Sequence, residues 1–377
     1  MRAKVVIGAA YGDEGKGQTV HALCSPKSVV VRFNGGCQAG HTVLHRNTRR
    51  VFSHLGAGTV KGAKTHLSRF FVCHPSAFLA EWHDLLSNGI YPYVTASPEC
   101  PVTTVWDVAI NRLLEQSRGD GRHGSVGVGF GETLERQLHS EWAMTLGGLG
   151  ACDVAAWLVR IRDEWVPYRT KQLGLTVKLP EALLARRAVT HQLADFREFL
   201  GYVSLVDDAI ACTSEQGIVF EGAQGLMLDQ DLGQFPHVTR SNTGLHNVKR
   251  LTDEPLDVYY VTRAYTTRHG AGPLPYELQC KPYPLIYDDT NVAGPFQGSL
   301  RYSYLNLDTL RDATRWDKRT ASKKDRFCSV VTCLDQLPDH AQAIYDGKPR
   351  HCRASRISRL TAEALDCEEV DYARSCA

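Results

Sequence analysis

The chain has 377 residues, 43% of them hydrophobic and 22% charged, so it can bury a sizeable core and is not a disordered polymer. Forty-three Lys and Arg against 41 Asp and Glu leave a formal charge of +2, which argues against a surface dedicated to wrapping nucleic acid. No apolar run approaches the ~18 residues of a membrane span, the N-terminal MRAKVVIGAA is too short for a secretory signal, and the twelve cysteines include no CxxC pair; together these predict free thiols in a reducing cytoplasm.

AKVVIGAA reads as a buried strand, followed by a glycine loop and KGQTVHALC as a helix entered from that loop. KSVVVRFNGG is a second strand ending in glycines. Strand, helix and strand in this order predict a right-handed parallel unit, and ligands in such sheets bind at the carboxyl ends of the strands. From about 102 to 211 the pattern turns helical: VWDVAINRLLEQ (105–116), DVAAWLVRIRDEW (153–165) and EALLARRAVTHQLADFREFL (181–200) carry apolar residues at helical spacing, interrupted by HGSVGVGFG (123–131). Strands return in GIVFEGAQG (217–225), LDVYYVTRAYTTR (256–268) and FCSVVTCLDQL (327–337). The expected architecture is α/β, a mainly parallel twisted sheet with flanking helices, built as one domain over residues 1–377 with a helical insertion at about 102–211. The basic clusters HRNTRR (45–50) and KRTASKKDR (318–326) read as exposed loops or helix faces.

The first loop, AYGDEGKG (10–17), is a near miss to the P-loop: Ala10 stands at the first glycine position and Gly17 at that of the magnesium-binding hydroxyl. Its physical ingredients remain, with inward-facing backbone N–H groups, a helix N-terminus and the Lys16 charge. A plain glycine turn explains the glycines but not a lysine among them directly after a buried strand. Asp13 then has two compatible tasks, as a Mg²⁺ ligand or as a general base beside the phosphates. NGGCQAGHTVLH (34–45) offers His41 at the mouth of the sheet. In FEGAQGLMLDQDLGQFPHVTRSNTG (220–244), Gln224 can bond a base, and Thr239, Ser241 and Asn242 supply donors. TTRHGAGPLPYEL (266–278) closes a further strand.

Taken together, GDEGKG, GGxxAGHT, EGAQGxMLD, PxVTxSNT and TTRxGAGPxPxEL resemble the adenylosuccinate synthetase family in order and spacing, closely over about 3–80 and 215–280. The resemblance implies a ligase that joins L-aspartate to C6 of a purine 6-oxo monophosphate, with a nucleoside triphosphate and Mg²⁺, through a 6-phosphoryl intermediate. It implies that Asp13 takes the N1 proton and, with the Gly40 carbonyl, holds Mg²⁺; that His41 is the general acid; that Lys16 neutralises the phosphoryl group; and that Gln224 contacts the base near C6. The triphosphate would meet Gly12, Asp13, Glu14, Gly15, Lys16, Gly17, Gln18, Gly40, His41, Thr42 and Asp335. The purine monophosphate would meet Asp13, Gln38, Ala39, Gly40, Ser125, Val126, Gln224 and Thr239, with Val126 acting through its backbone. Such enzymes usually form homodimers in which the partner lends an arginine to the monophosphate, for which Arg136 is the candidate. No nucleic acid or membrane partner is implied.

Three departures point within the family. The usual Thr-rich, arginine-bearing aspartate loop is replaced by DDTNVAGPFQGSLRYSYLNLD (288–308), so Gly298, Ser299 and Arg301 become the expected aspartate contacts. The QGSLR form and the short chain resemble the viral branch, which makes 2-aminoadenylosuccinate from dGMP for genomes carrying 2-aminoadenine. TCLDQL (332–337) has Cys333 where GTP-using members carry a lysine, and VDYARSCA lacks the Gly-Pro element near the guanine, so ATP or dATP becomes the expected donor. Asp13, retained as in IMP-using members, keeps open the ordinary reaction of IMP with GTP. A nucleotide-binding regulator without turnover is the alternative from another class, against which Asp13, Lys16, His41 and Gln224 all speak.

Overall fold

The computed structural model describes residues 2–212 and 217–370. Its strands, in chain order, are β1 (Ala3–Gly8), β2 (Val29–Arg32), β3 (His41–His45), β4 (Thr48–Phe52), β5 (Lys64–Leu67), β6 (Val94–Ala96), β7 (Val203–Leu205) and β8 (Ile218–Glu221). There follow β9 (Leu256–Arg263), β10 (Tyr265–Arg268), β11 (Arg301–Asn306), β12 (Arg326–Thr332), β13 (His340–Tyr345), β14 (Lys348–Arg353) and β15 (Glu368–Glu369). Nine of them form one sheet in the order β15-β12-β9-β1-β8-β2-β5-β6-β7, every neighbouring pair parallel. A parallel sheet is covered on both faces, which is why Val5-Val6-Ile7 and Val29-Val30-Val31 are unbroken apolar runs. Along β1, Val5 and Ile7 enter the core on one face and Val6 the core on the other.

The centre of the sheet is β1 between β8 and β9, with Val5 opposite Phe220 and Val258. The loops after β1, β2 and β8 therefore leave the same edge side by side. The helix α1 (Lys16–Leu23) starts directly in the first of them. A hairpin of β3 and β4, which the sequence pattern did not reveal, follows the second loop and carries His41. The run 256–268 is two strands rather than one: Ala264 donates to the Thr332 carbonyl at 2.9 Å, and the chain then leaves the parallel sheet to pair β10 with β11. The resulting four-stranded sheet, β10-β11-β13-β14, is of mixed sense.

The segment 102–211 is mostly helical, with α2 (Pro75–Ser87) preceding it and α3 (Val105–Arg118) and α4 (Phe130–Gln137) at its start. Thr104 and Asp107 close α3 with a reciprocal capping box. The segment is not purely an insertion, because β7 within it pairs with β6 at the sheet edge. The same Asp107 holds Arg136, both side chains fully buried, at 2.9 and 3.1 Å, and Arg136 also donates to the carbonyls of Val102 and Trp142. Arg136 is thus a core arginine with its donors spent, and the expectation that it crosses a dimer interface is corrected.

A second buried carboxylate positions the loop after β8. Asp317 accepts from the backbone N–H of Leu245 at 2.7 Å and from the Tyr260 hydroxyl at 2.9 Å. Burial pushes its pKa from an ordinary 3.8 up to about 7, with Asp229 adding to the rise. A carboxyl whose folded pKa is raised contributes stability that is present below about pH 4 and is lost as pH rises through about 7. Over that window this group withdraws on the order of 4 kcal/mol at about 1.4 kcal/mol per pH unit. Asp317→Asn should flatten this part of the stability profile, read by urea unfolding at a series of pH values. Identical pH slopes in wild type and variant would show that Asp317 is ionised throughout.

Candidate active site

The first loop is organised by Glu14. Its side chain turns inward, accepting from the Ala10 N–H at 2.5 Å and lying 3.4 Å from the Lys16 Nζ, with both side chains about 4% exposed or less. Gly8 makes room for it, since a Cβ there would fall 1.9 Å from the Glu14 Oε2. Burial raises the Glu14 pKa against the opposing pull of Lys16 and the Ala10 N–H. The next contact is as tight: Gly15 has φ of 85°, and a Cβ there would meet the Thr332 methyl at 2.9 Å. The Thr332 hydroxyl donates to the Glu14 carbonyl at 2.9 Å.

With Glu14 folded in, Asp13 turns out. Its φ of 58° is left-handed, and its carboxylate is 31% exposed at the cavity. Arg263 donates to the Asp13 carbonyl and pairs with Asp288 at 2.8 Å, tying the loop to the segment that follows β10. His269 Nδ1 lies 3.4 Å from the Asp13 Oδ2. Burial opposes ionisation of Asp13, but His269, Arg263 and Lys16 hold its pKa below the ordinary range, so it is an anion.

His41 stands across the loop at the start of β3. Its Nδ1 is 2.5 Å from Glu221 Oε1, and the other Glu221 oxygen accepts from the Ala57 N–H at 3.0 Å. Burial raises the Glu221 pKa, but His41 and Arg32 more than offset this and keep the carboxyl ionised. Burial lowers the His41 pKa more than Glu221 raises it. The pair is therefore a neutral imidazole donating through Nδ1 to a carboxylate, and its Nε2 has no partner.

Three more unpartnered polar atoms belong to amides. Gln38 Nε2 and Oε1 and Gln224 Oε1 are buried without hydrogen bonds. The two loops that carry these glutamines are latched by Asn34, which donates to the Ala223 carbonyl at 3.0 Å and accepts from the Ala223 N–H at 2.8 Å. On the far side, α3 holds the loop of Ser125 and Val126: Asn111 donates to the Ser125 hydroxyl at 3.0 Å, and Arg112 donates to the Gly127 carbonyl at 2.9 Å.

These loops enclose one cavity of about 470 Å³. Gly12 to Gln18, Gln38 to Thr42, Ser125, Val126, Gln224 and Thr239 all border it, as the sequence led one to expect. Four expected residues do not. Arg301 donates to Glu277 at 2.7 Å and to the carbonyls of Gly270 and Gly272, so its fork is occupied within the chain. Gly298 and Ser299 are exposed away from the cavity, and Asp335 is exposed beyond it. Thr290, Asn291 and Gln297 border the cavity from the same loop, and Arg268 does so from β10. Arg268 is buried, lies 4.6 Å over the Tyr11 ring, donates to the carbonyls of Pro273 and His237 at 2.7 and 3.2 Å, and, like Arg301, has an Nε without a partner. Arg268, His269 and Arg263 stand in or beside the quoted TTRHGAG run, so order along the chain could have raised them; Glu221, at the end of an apolar strand, gave no signal beyond its charge.

Among the described residues no cluster of three or more His, Cys, Asp and Glu side chains could hold a metal alone. Of the four acids that border the cavity, Glu14, Glu115 and Glu132 are bonded to protein groups, which leaves the Asp13 carboxylate and the exposed Gly40 backbone as oxygen donors beside the glycine loop. Hard oxygen donors in small number fit Mg²⁺, which completes its shell from phosphates and water.

The sequence signature described as Adenylosuccinate synthetase matches residues 5–323. The chain is 30% identical over 403 aligned positions to the adenylosuccinate synthetase of Saccharophagus degradans, covering 98% of this chain and 92% of that one. It is 33% identical over 367 positions to that of Leuconostoc citreum, covering 93% and 83%. In fold it is similar to the fully ligated adenylosuccinate synthetase of Plasmodium falciparum, with a TM-score of 0.74 at 18% identity over 98% of this chain and 96% of the other. It is also similar to the cyanophage S-2L succinoaminodeoxyadenylate synthetase bound to dGMP and dATP as an energy donor, with a TM-score of 0.61 at 15% identity over 96% and 99%. The chain belongs to the adenylosuccinate synthetase family, ligases that form a carbon–nitrogen bond and release a nucleoside diphosphate and phosphate.

Proposed function

We propose that this ligase acts on dGMP, joining L-aspartate to its C6 with ATP or dATP as phosphate donor and yielding N6-succino-2-amino-2′-deoxyadenylate, as the viral branch of the family does. The observation that carries the reading is Cys333. It stands where GTP-using members have a guanine-reading lysine, it is fully buried, and its thiol lies 3.8 Å from the Thr332 hydroxyl. No cation from that position can meet a guanine O6 in the donor, which favours an adenine nucleotide. An enzyme fed on a guanine monophosphate gains by refusing guanine nucleotides as donor. The ligands of the cyanophage neighbour, dGMP and dATP, support the same pairing. Residues 371–377, which carry most of the altered C-terminal run, lie outside the described residues.

The ordinary reaction of IMP with GTP is the second reading, favoured by the retained Asp13 and by the relatives named above. A carboxylate accepts equally from N1–H and from a 2-amino group, so Asp13 fits either base.

In both readings the geometry supports the following chemistry. The ionised Asp13 takes the N1 proton, and the electron pair shifts to O6, which attacks the γ-phosphorus of the donor while the diphosphate leaves. Lys16 and the loop N–H groups face the charge that moves between the two oxygens. Asp13 and the Gly40 carbonyl would hold Mg²⁺, which would supply further charge neutralisation there. His41 borders the same cavity; on taking a proton from solvent water at Nε2 it becomes an imidazolium that Glu221 stabilises and that can donate to the phosphoryl oxygens. The neutral aspartate amine then attacks C6, the C6–O6 bond breaks with O6 leaving on the phosphate, and the proton shed by the nitrogen goes to the departing phosphate. Arg268, buried and bordering the cavity, is a better placed cation for a substrate carboxylate than Arg301. We take the enzyme to work as a homodimer in the cytoplasm, as the family usually does.

Asp13→Asn keeps the loop's shape and removes the base, so turnover should fall by at least ~10²-fold. A variant within tenfold of wild type would remove Asp13 from the mechanism. Glu221→Gln leaves His41 its hydrogen bond but not its counter-charge. Its kcat should drop by about 10–10²-fold with little change in KM, whereas a rise in KM alone would make the pair a binding element. A panel of dGMP, GMP, dIMP and IMP against ATP, dATP and GTP decides the substrate. We expect dGMP with ATP or dATP to exceed IMP with GTP by at least about tenfold, and the reverse ranking would restore the ordinary synthetase.

A further inference from the structure

With Arg136 spent in the core, the 5′-phosphate of the purine monophosphate lacks the arginine that the family usually draws from a partner subunit. One wall of the cavity supplies the elements of a substitute. Asn111 ties two parts of it together, donating to the Ser125 hydroxyl at 3.0 Å and accepting from the Gly129 N–H at 3.2 Å, directly before α4. Because the Ser125 oxygen accepts there, its own proton is free for a ligand. Arg240 lies over the first turn of α4, with Nη1 3.3 Å from the Gly131 carbonyl, and it directly follows Thr239 in the chain. Ser125, Gly131, Thr239 and Arg240 all border the cavity.

Arg240 is also the arginine with donors to spare. Both of its hydrogen bonds come from Nη1, the second to Glu135 Oε2 at 2.5 Å, so Nε and Nη2 are unengaged among the described residues. Its side chain is 50% exposed, and Glu135, its partner, does not border the cavity. The other arginines of the cavity wall are committed. Arg169 uses all three nitrogens on Glu132, Glu135 and Gln172, and Arg263 uses all three on Asp13, Tyr265 and Asp288. Arg118 is the counter-charge of Glu115, whose side chain is 1% exposed, and Arg268 is buried with Nη1 and Nη2 on backbone carbonyls. A guanidinium that keeps two donors suits a phosphate dianion, where both can meet oxygens at once.

We infer that Arg240 binds the 5′-phosphate of the purine monophosphate from within the same protomer, beside Ser125 and Thr239, and takes over the task of the partner's arginine. The inference rests on the chain acting on a purine monophosphate, and it holds for dGMP and IMP alike. A site completed in this way needs no cation from a second copy of the chain.

The test sets dGMP and IMP against their phosphate-free counterparts, deoxyguanosine and inosine, in wild type, Arg240→Gln, Arg240→Lys and Glu135→Gln. KM for each monophosphate and the inhibition constant of each nucleoside are measured at saturating aspartate and phosphate donor. Arg240→Gln should raise KM for the monophosphate that wild type uses by about 10–10²-fold and leave the inhibition constant of the matching nucleoside within about twofold. Arg240→Lys should fall between, since it keeps the charge and loses the fork. Glu135→Gln breaks the ion pair but retains the arginine, so it should not share the loss. Equal losses for monophosphate and nucleoside, or the same loss in Glu135→Gln, would show a structural ion pair and overturn the inference, as would an unchanged KM in Arg240→Gln. These outcomes leave the proposed reaction standing, whereas a wild type that turns over neither monophosphate would overturn that reaction and this inference with it. Co-expressed Arg240→Gln and Asp13→Asn chains decide whose arginine is used. The mixed protein should keep the raised KM, and a return to the wild-type KM would place Arg240 in the partner's site and contradict the inference.

Discussion

The site depends on one carboxylate being turned inward. Glu14 is clamped between the Ala10 N–H and Lys16 under the phosphate loop, and the space for it exists because residue 8 has no side chain. That clamp fixes the path of residues 10–16. It forces Asp13 into a left-handed conformation with its carboxylate on the opposite side, facing the cavity. Two adjacent acids in a phosphate loop are therefore not redundant and not both repelled by phosphate. One is structural and faces the protein; the other faces the cavity, away from the helix N-terminus, the end that by its dipole favours phosphate.

The remaining groups are arranged around that split. Arg263 grips the Asp13 carbonyl and Asp288, so the loop that replaces the usual aspartate segment is tied to the base of the phosphate loop. Asp288 is accordingly held well below the usual carboxylate range: burial would raise its pKa, but Arg263 and the hydrogen bonds from Asn291 and Thr290 prevail. His41, at the start of β3, and Glu221, at the end of β8, form an independent unit, already desolvated before any ligand arrives. Preorganised charge in a dry site is worth most where charge moves, which in the proposed reaction is between O6 and the γ-phosphorus. The unpartnered amides of Gln38 and Gln224 are the costs such a pocket carries until a base fills it.

The parts of this arrangement that were legible in the sequence share a physical origin. Asp13, Lys16, His41 and Gln224 sit in glycine-bearing loops directly after apolar runs, and a parallel sheet must bring such loops to one edge. The sheet itself was legible because strands buried on both faces are apolar throughout. What was not legible concerns partners far apart in the chain. Arg301 looked like the free cation of its loop because nothing in the spacing shows Glu277 or the carbonyls of Gly270 and Gly272 folding onto it. Arg136 looked available for the same reason, while Asp107 holds it in the core. The break between β9 and β10 was hidden because Tyr265, Thr266 and Thr267 continue a good strand composition across it. Glu221 was read as the end of a strand, and its role appeared only when β3 laid His41 against it.

The central claim is that this loop activates the purine O6 as a nucleophile toward the phosphate donor. It is tested most directly with dGMP carrying ¹⁸O at C6, turned over with ATP and L-aspartate, and with the released phosphate analysed by mass spectrometry. The account predicts one ¹⁸O atom in the phosphate for each succinylated product. Product formed together with unlabelled phosphate would mean that the oxygen leaves C6 without being phosphorylated, and would contradict the roles of Asp13, Lys16 and His41 together.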